Sequence, residues 1–437
     1  MRTDFYLKHM LAAGMVSLCV LMNANVGQAH YISSAQEKMI GAEAARQYEA
    51  QHNAVWDQHI IDLEAKLIKA NPGKLTSNTG NNRYLEAVKV VADDQSENAY
   101  TFPGGYIYMT QGTMDRATKK ILSGGDRYNY DCNDIGGIYR ASYFSGVMAH
   151  EIGHWYNEDY LRQVDRRENL NMLFAVFGQQ GNASAQLLSQ LAQRAIYDVS
   201  DRGMSLQVEK EADSTGLEFI DNTNDLSTGG MASVFTNYIA DEAAHGYHDP
   251  THGSNAHSNN DVRLKRIFEY WKKISNGMIT FACEDRGQNG ICFKMAYGGQ
   301  AISSDPSGYG MLSGRGDTSG QDKTYYFAGQ LAKAISKGYV SPTNNRLYIV
   351  SDEYAAAYFG MKYRPDGLIL VAFSPDKKDM ILLSRLEDLQ YHQIRKARSD
   401  FASLSRSEQA EYNEYKYMST HIGLRIGFLM PQEDSSQ

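Results

Sequence analysis

The stretch GVMAHEIGHWYNEDY, residues 146–160, places two histidines four residues apart, with a glutamate directly after the first. In an α-helix this spacing puts His150 and His154 on one face, one turn apart, where their imidazoles can share one cation. Glu151 can then take a proton from a metal-activated water and pass it to a leaving amine. The same residues also fit an ordinary polar turn of a surface helix, so the neighbouring sequence has to decide.

A second helix is predicted over residues 205–220, SLQVEKEADSTGLEFI, where Glu209 and Asp213 again lie four residues apart on one face. Glu209 would complete a His₂Glu set of ligands for one zinc ion per chain, with a fourth position open for water. Asp213 would hold one ligand in place. The alternative is a solvated acidic helix face. A structural zinc site fits less well, because such sites use four closed ligands, mostly cysteines.

Length and charge limit the class of protein. The chain has 437 residues, which allows two domains, and its apolar and charged fractions are ordinary for a globular protein. Its net charge is −8 at pH 7, and no run of lysine and arginine stands out. We therefore predict no nucleic-acid partner, because nucleic acids are bound through concentrated positive charge.

The N-terminus has the pattern of a secretory signal peptide. Arg2 and Lys8 precede an apolar run over residues 11–22, and the small-residue pattern VGQA follows. This order predicts a signal peptide over residues 1–29, cleaved after Ala29, and an exported protein that is periplasmic, in the cell envelope or secreted. The apolar run is too short for a spanning helix, which needs about 20 residues. An uncleaved membrane anchor is the alternative.

Export permits disulfide bonds. If Cys19 leaves with the signal peptide, the remaining cysteines are Cys132, Cys283 and Cys292. The stretch CEDRGQNGIC closes a short glycine-containing loop, which favours a bond between Cys283 and Cys292. Cys132 would then be unpaired. A three-cysteine metal site is less favoured, because no CxxC spacing occurs in the chain.

Four segments follow one another along the chain: NAYTFPGGYIYMTQG (98–112), VMAHEIGHW (147–155), EKEADSTGLEF (209–219) and HSNNDVRLKRI (257–267). This succession resembles the zinc metallopeptidase family of the CAAX prenyl protease, HtpX and BepA. Four motifs in the right order are far more specific than any one of them. The resemblance covers roughly residues 34–272 and implies a gluzincin-type fold.

The resemblance also implies a ligand set and two functional carboxylates. The implied zinc ligands are His150, His154 and Glu209. Glu151 is the implied general base and acid, and Asp213 is the implied supporting carboxylate. Such a site would catalyse hydrolysis of a peptide bond.

A late histidine followed by an arginine is the fourth element of the family pattern. It falls on His257, with Arg263 as the matching arginine, and such a histidine could donate a hydrogen bond to the oxyanion formed during attack on the carbonyl. The family usually has proline after this histidine, whereas this chain has Ser258, and His252 in THGS is a rival match. A histidine of this region could instead cap the zinc and keep the enzyme inactive.

The segment before the zinc helix is predicted to contact the substrate. In the family, a strand edge ending in a Pro-Gly-Gly turn lines the substrate cleft, and such an edge can pair with an extended peptide. The candidate substrate contacts are therefore Asn98, Ala99 and Tyr100, to which we add Arg263. A purely structural hairpin is the alternative.

The predicted fold class is α+β: a mainly helical zincin-like metallopeptidase core with a small sheet, followed by a small α+β C-terminal domain. Helical spacing predicts helices over residues 34–70, from near Ser142 to about Leu161, and over 323–337. After the signal peptide, the predicted divisions are a metallopeptidase domain (30–275), a glycine-rich linker (276–322) and a C-terminal domain (323–437), which ends with three strands and a polar helix near 386–416.

The resulting functional hypothesis is an exported zinc-dependent endopeptidase with a polypeptide substrate, cleaving unfolded or envelope proteins. Residues 167–197, where membrane-embedded relatives have a spanning helix, are interrupted by Gln179, Gln180 and Asn182. We therefore predict that the chain is not an integral membrane protein after signal cleavage. The alternative function is a protease-like chaperone or assembly factor with little or no cleavage. The sequence does not predict the oligomeric state.

Overall fold

The chain folds as a mainly helical α+β protein, which confirms the predicted fold class. Its fold is described here from a computed structural model. The structure describes residues 33–75, 85–120, 130–165, 182–200, 204–244, 260–285, 291–298, 300–301, 320–341, 346–363, 368–385 and 425–428. The predicted signal peptide therefore lies outside the described residues.

The described residues form eleven α-helices and eleven β-strands. The helices are α1 (Ser34–Glu49), α2 (Gln58–Ala70), α3 (Gln111–Lys120), α4 (Ile138–Tyr156), α5 (Asp159–Asp165), α6 (Asn182–Ser200), α7 (Leu206–Asp221), α8 (Gly229–Ala244), α9 (Asn260–Ile274), α10 (Gly320–Ser336) and α11 (Asp352–Phe359). The strands are β1 (Ala54–Val55), β2 (Ala87–Val91), β3 (Ala99–Phe102), β4 (Tyr106–Thr110), β5 (Ile279–Asp285), β6 (Ile291–Tyr297), β7 (Gln300–Ala301), β8 (Arg346–Ser351), β9 (Leu368–Phe373), β10 (Met380–Arg385) and β11 (Arg425–Phe428).

A four-stranded sheet in the order β1-β2-β4-β3 lies beside α4. Strands β2 and β4 are parallel, and β3 pairs with β4 in the antiparallel sense. The predicted Pro-Gly-Gly break connects β3 to β4, and Gly104 adopts a φ of 75° there, a left-handed conformation that favours glycine. Strand β3 is consequently an edge strand of this sheet.

The helix predicted over residues 34–70 is two helices. Between α1 and α2 the chain forms β1, in which Ala54 and Val55 pair with β2, and the Asp57 side chain accepts hydrogen bonds from the first amides of α2. The stretch between the helices contains neither glycine nor proline. The break is set by strand pairing, which helical periodicity does not detect.

Helix α4 carries the HEIGH motif and is buried from Ile138 to Trp155. It begins at Ile138, after a short 3₁₀ turn (Ile135–Gly137), rather than near Ser142 as predicted. It ends at Tyr156 rather than near Leu161, because Glu158 takes a φ of 60° and turns the chain into α5. A helix buried on all sides has no amphipathic pattern to mark its ends.

The linker predicted over residues 276–322 contains regular structure, so this prediction is wrong for its first half. Strands β5, β6 and β7 form a three-stranded antiparallel sheet over residues 279–301. Residues 302–319 lie outside the described part of the chain. The glycine-rich composition misled the prediction, because a glycine can also end a strand, as Gly298 does directly after β6 with a φ of 56°.

The predicted C-terminal domain and the predicted metallopeptidase domain share one hydrophobic core. One continuous buried cluster includes residues of α4 and α7 together with residues of α10 and the sheet β10-β9-β8-β11. Tyr325, Tyr326 and Phe327 of α10 are almost fully buried. The predicted boundary at residue 322 therefore does not divide the core. The polar helix predicted near 386–416 lies outside the described residues.

Two further predictions concern membrane spans and cysteines. Among the described residues, no helix combines the length and the hydrophobicity needed to cross a membrane.

Cys132 is buried and its thiol is free. Cys283 and Cys292 lie on the adjacent strands β5 and β6, where the register sets Cys283 opposite Phe293 and Cys292 opposite Glu284. Their disulfide stays a prediction.

Candidate metal centre

The candidate metal centre lies where α4 and α7 pack against each other at unusually close range. Two glycines permit this approach. A Cβ atom added to Gly153 would lie 2.6 Å from the backbone oxygen of Ala212, and one added to Gly216 would lie 2.9 Å from the backbone oxygen of Ala149. Any side chain at these positions would push the helices apart. The glycines thus bring Glu209 of α7 next to the two histidines of α4.

Three side chains converge at this helix crossing. The Nε2 atoms of His150 and His154 are 3.0 Å apart. Glu209 places one oxygen 3.3 Å from Nε2 of His150 and the other 3.6 Å from Nε2 of His154. The three side chains are buried, and Glu209 is fully enclosed. Among the described residues they form the one group of three or more with the spacing for a shared metal ion.

The other ring nitrogen of each histidine contacts a buried carboxylate. Asp213 lies 2.9 Å from Nδ1 of His150, and Asp159 lies 2.8 Å from Nδ1 of His154. A carboxylate can only accept a hydrogen bond, so these contacts favour the proton on each Nδ1, although Nη2 of Arg263 also lies 3.1 Å from Nδ1 of His150 and 3.3 Å from its Nε2. Both Nε2 atoms are thereby left to bind a cation, as in carboxylate–histidine–metal arrangements generally.

Arg263 of α9 lies beneath the centre. Its guanidinium donates to Asp213 from Nε over 2.9 Å and from Nη2 over 2.6 Å, and its Nη1 lies 3.3 Å from Glu209. It also packs over the ring of Phe235 at 4.2 Å and is almost fully buried. In this conformation the Arg263 side chain is buried and holds the carboxylates of α7, and its predicted contact with substrate stays a prediction.

The buried charges shift two pKa values in opposite directions. Burial and Arg263 lower the pKa of His150, but Asp213 and Glu209 outweigh them and raise it to about 9. Burial raises the pKa of Asp213, but Arg263 and His150 outweigh it and lower it to about 2. Asp213 is therefore ionised at neutral pH and can accept from both partners at once.

Glu151 lies between the metal centre and the edge strand β3. The hydroxyl of Thr101 in β3 lies 2.5 Å from Oε2 of Glu151 and 3.0 Å from its backbone oxygen. Glu151 is buried, and Thr101 is half-buried. The carboxylate predicted to be the general base is thus hydrogen-bonded to the strand predicted to bind the substrate.

The three predicted substrate contacts of the edge strand have buried side chains. Asn98 uses its side-chain oxygen to accept from the amide of Ala99, and Ala99 belongs to the main hydrophobic core. The ring of Tyr100 packs against Tyr48 on the other face of the sheet. Contact between these side chains and a substrate is therefore excluded in this conformation, and only the main chain of the strand remains available.

The two candidates for the oxyanion donor, His257 and His252, lie outside the described residues. The choice between them stays a prediction. The described chain resumes at Asn260, the first residue of α9, three positions before the buried Arg263.

The donor set fits zinc. Two imidazole nitrogens and one carboxylate oxygen are the ligands of many catalytic zinc sites, whose Zn–N bonds are about 2.0–2.1 Å. Atoms bound to one tetrahedral ion at that distance are about 3.3 Å apart. The observed separations of 3.0, 3.3 and 3.6 Å bracket that value.

Two residues of the centre were not among the sequence predictions. Asp159 lies five positions after His154, beyond the end of α4, so helical spacing could not place it under the histidine. The general pairing of metal-binding histidines with carboxylates was the available signal, since two carboxylates, Glu158 and Asp159, follow within five residues of His154. Thr101 lies on a separate strand, and no sequence signal connected it to Glu151.

Comparison with known proteins adds one finding. A model of the protein family described as Peptidase family M48 matches residues 76–270. No curated protein matches the chain. The matched range contains His150, Glu151, His154 and Glu209, and it confirms the predicted resemblance to the metallopeptidase family.

Proposed function

We propose that this chain, whose residues 76–270 belong to peptidase family M48, is an exported zinc-dependent endopeptidase that cleaves unfolded or envelope proteins. Family membership supports a metallopeptidase. The observation that carries the finer proposal is the convergence of two histidine Nε2 atoms and Glu209, with the buried Glu151 directly after His150 in α4. Export is supported by the charged and apolar pattern of residues 1–29.

The chain's own residues account for the proton transfers. His150, His154 and Glu209 would hold a zinc ion, which as a Lewis acid would polarise the peptide carbonyl and make water a stronger nucleophile. Glu151 takes the proton from the attacking water and then delivers it to the nitrogen of the scissile bond, so that the amine can leave. Asp213 and Asp159 keep both histidines in the orientation that this requires.

The edge strand supports an extended substrate. Strand β3 lies at the end of its sheet, and the side chains of Ala99, Tyr100 and Phe102 are buried, so recognition there would use mainly main-chain hydrogen bonds. A segment can add to a sheet edge only when its own main chain is unpaired. This requirement favours unfolded polypeptides over folded ones.

The replacement Glu151→Gln tests the proposed function. It removes the proton acceptor but keeps the size and polarity of the side chain, so we expect zinc to be retained at about one ion per chain. Cleavage of an unfolded polypeptide such as β-casein should fall by a factor of about 10² or more. Zinc content is measured by atomic absorption and cleavage by gel electrophoresis.

The matched control is Glu218→Gln, an exposed position on α7 whose carboxylate pairs with Lys74. We expect this variant to retain full cleavage. Unchanged cleavage in Glu151→Gln would contradict the proposed mechanism. If the wild-type protein binds zinc and suppresses aggregation of the polypeptide without cutting it, the alternative chaperone function is correct instead.

A further inference from the structure

Thr101 is placed to contact Glu151 with its side chain and a substrate with its main chain. Its hydroxyl is within hydrogen-bond distance of two oxygens, Oε2 and the backbone oxygen, and both belong to Glu151. A hydroxyl has one hydrogen to donate, and a bond to an ionised carboxylate is the stronger of the two. The hydroxyl therefore restrains the carboxylate in one orientation.

The main chain of Thr101 faces the free edge of the sheet. The amide of Thr110 donates to the backbone oxygen of Asn98 over 3.1 Å, which makes these two residues a hydrogen-bonded pair. Such pairs alternate with non-bonded pairs along antiparallel strands. Thr101 lies three residues after Asn98 and opposite Ile107, so Thr101 and Ile107 form a non-bonded pair. The amide and carbonyl of Thr101 therefore point away from β4. Because β3 is the last strand of this sheet in the described part of the chain, they point to its outer edge.

The side chains of β3 alternate in the matching way. Tyr100 and Phe102 pack against Tyr48, with ring centroids 6.2 and 5.1 Å away. Thr101 lies between them in sequence and points to the opposite face, towards α4. One residue thus offers two hydrogen-bonding groups to an extended chain and a third to the carboxylate of Glu151.

We propose that Thr101 is a positioning residue that couples binding of an extended polypeptide on the edge of β3 to the orientation of Glu151. The inference rests on the proposed endopeptidase function and names the residue through which the substrate strand and the general base are connected. A polypeptide paired with β3 fixes the main chain of Thr101, and the hydroxyl then holds the carboxylate in the orientation needed for proton transfer.

The replacements Thr101→Val and Thr101→Ser separate the hydroxyl from the main chain. Valine keeps the branched shape and the edge amide and carbonyl but loses the hydroxyl, whereas serine keeps the hydroxyl. For Thr101→Val we expect normal zinc content, KM for β-casein within about twofold of wild type, and kcat reduced about ten- to a hundredfold, the loss of one hydrogen bond to a charged group. Thr101→Ser should restore kcat to within a few fold.

The matched control is Thr236→Val, which removes a half-buried hydroxyl that donates to Tyr325 over 3.2 Å. It should leave kcat unchanged. Thermal unfolding of every variant identifies any general loss of stability. Adding Thr101→Val to Glu151→Gln should cause no further loss of cleavage, because the hydroxyl acts through that carboxylate.

Three results would overturn the inference. If Thr101→Val cleaves at the wild-type rate while Glu151→Gln is inactive, the proposed function stands and Thr101 has no part in it. If Thr101→Val and Thr101→Ser are equally impaired, or if KM rises as kcat falls, the residue serves packing or binding alone. A wild-type protein that binds zinc but cleaves nothing removes the proposed function, and this inference with it.

Discussion

At the scale of single residues, the candidate centre depends on which nitrogen of each histidine carries the proton. Two carboxylates from different parts of the chain favour the proton on Nδ1, and at His150 Asp213 does so against the nearby guanidinium of Arg263. Asp213 follows from the spacing of α7, whereas Asp159 reaches His154 through the turn at Glu158. Asp159 is fully enclosed and is also held by Arg162, which in turn donates to Glu211 over 2.6 Å. Its orientation is therefore restrained from two sides.

The replacement Asp159→Ala should weaken zinc binding about 10- to 100-fold, because loss of a carboxylate behind a ligating histidine frees the orientation of the ring. Zinc affinity is measured by competition with a chromogenic chelator. Asp62→Ala is the control, since Asp62 accepts from Asn133 over 2.9 Å in another part of the molecule. Wild-type zinc affinity in Asp159→Ala would show that His154 does not need this partner.

At the scale of secondary-structure elements, the close crossing of α4 and α7 decides whether the ligands meet. Both helices were predictable, because their motifs have helical spacing and Ser205 provides an N-cap for α7. Their crossing distance was not predictable. The sequence does not show whether a glycine within a helix permits a close helix–helix contact or only lowers helix stability. The role of Gly153 in the helix crossing becomes evident only from its contact with the backbone of Ala212.

The replacement Gly153→Ala should separate the two helices, since its new Cβ atom would lie 2.6 Å from the backbone oxygen of Ala212. We expect zinc affinity to fall about tenfold or more and the free energy of unfolding to fall by about 1–3 kcal/mol. Zinc competition and urea unfolding measure the two effects.

Gly229→Ala is the matched control for the crossing. Its Cβ atom would lie 2.1 Å from the backbone oxygen of Tyr325, at the packing of α8 against α10. This variant should lose stability while the folded protein keeps its zinc affinity. Equal loss of zinc affinity in both variants would show that overpacking anywhere disturbs the centre, and would contradict a specific role for Gly153.

At the scale of the whole molecule, α10 joins the C-terminal region to the helix that carries Glu209. Lys333 of α10 is almost fully buried and donates to the backbone oxygens of Thr223 and Leu226 over 3.0 and 2.7 Å, directly after the end of α7. Burial lowers the pKa of this lysine to about 8. The C-terminal region thus stabilises α7 at the end opposite to its metal ligand.

The depressed pKa of Lys333 predicts a pH dependence of stability. The ordinary lysine pKa is 10.5 and the folded value is about 8, so between these values the unfolded chain binds more protons than the folded chain. The contribution of Lys333 to stability must therefore increase as pH rises from 8, with a slope of at most about 1.4 kcal/mol per pH unit. Urea unfolding between pH 7.5 and 9 measures it as a difference from a variant without Lys333, because tyrosines and Cys132 contribute equally to both proteins.

The replacement Lys333→Met isolates this contribution. It should destabilise the protein at every pH, because two carbonyls lose their donor, and it should abolish the increase relative to wild type. Lys265→Met, at an exposed position of α9, should keep the increase. An identical pH dependence in wild type and Lys333→Met would show that Lys333 keeps an ordinary pKa in the fold.

The ligand types and their helices were determined by the sequence alone, because a fixed helical repeat places His150 and His154, and likewise Glu209 and Asp213, on common faces. Family resemblance and fold class followed from the order of such local motifs. Local spacing carries no information about contacts between distant segments. Only the tertiary structure placed Asp159 behind His154, Thr101 against Glu151, and Arg263 against Asp213.

The wrong predictions for the glycine-rich stretch and the C-terminal region have the same cause: both depend on contacts between distant segments. Composition predicted a linker and a separate domain, yet β5–β7 pair into a sheet and α10 is buried in the common core. Strand pairing and helix burial arise from partners far apart in the chain, and the hydrophobic effect that drives them depends on the area that the whole fold removes from water. The buried area depends on the complete tertiary structure, so the pairing of these strands and the burial of α10 could not be predicted from local sequence.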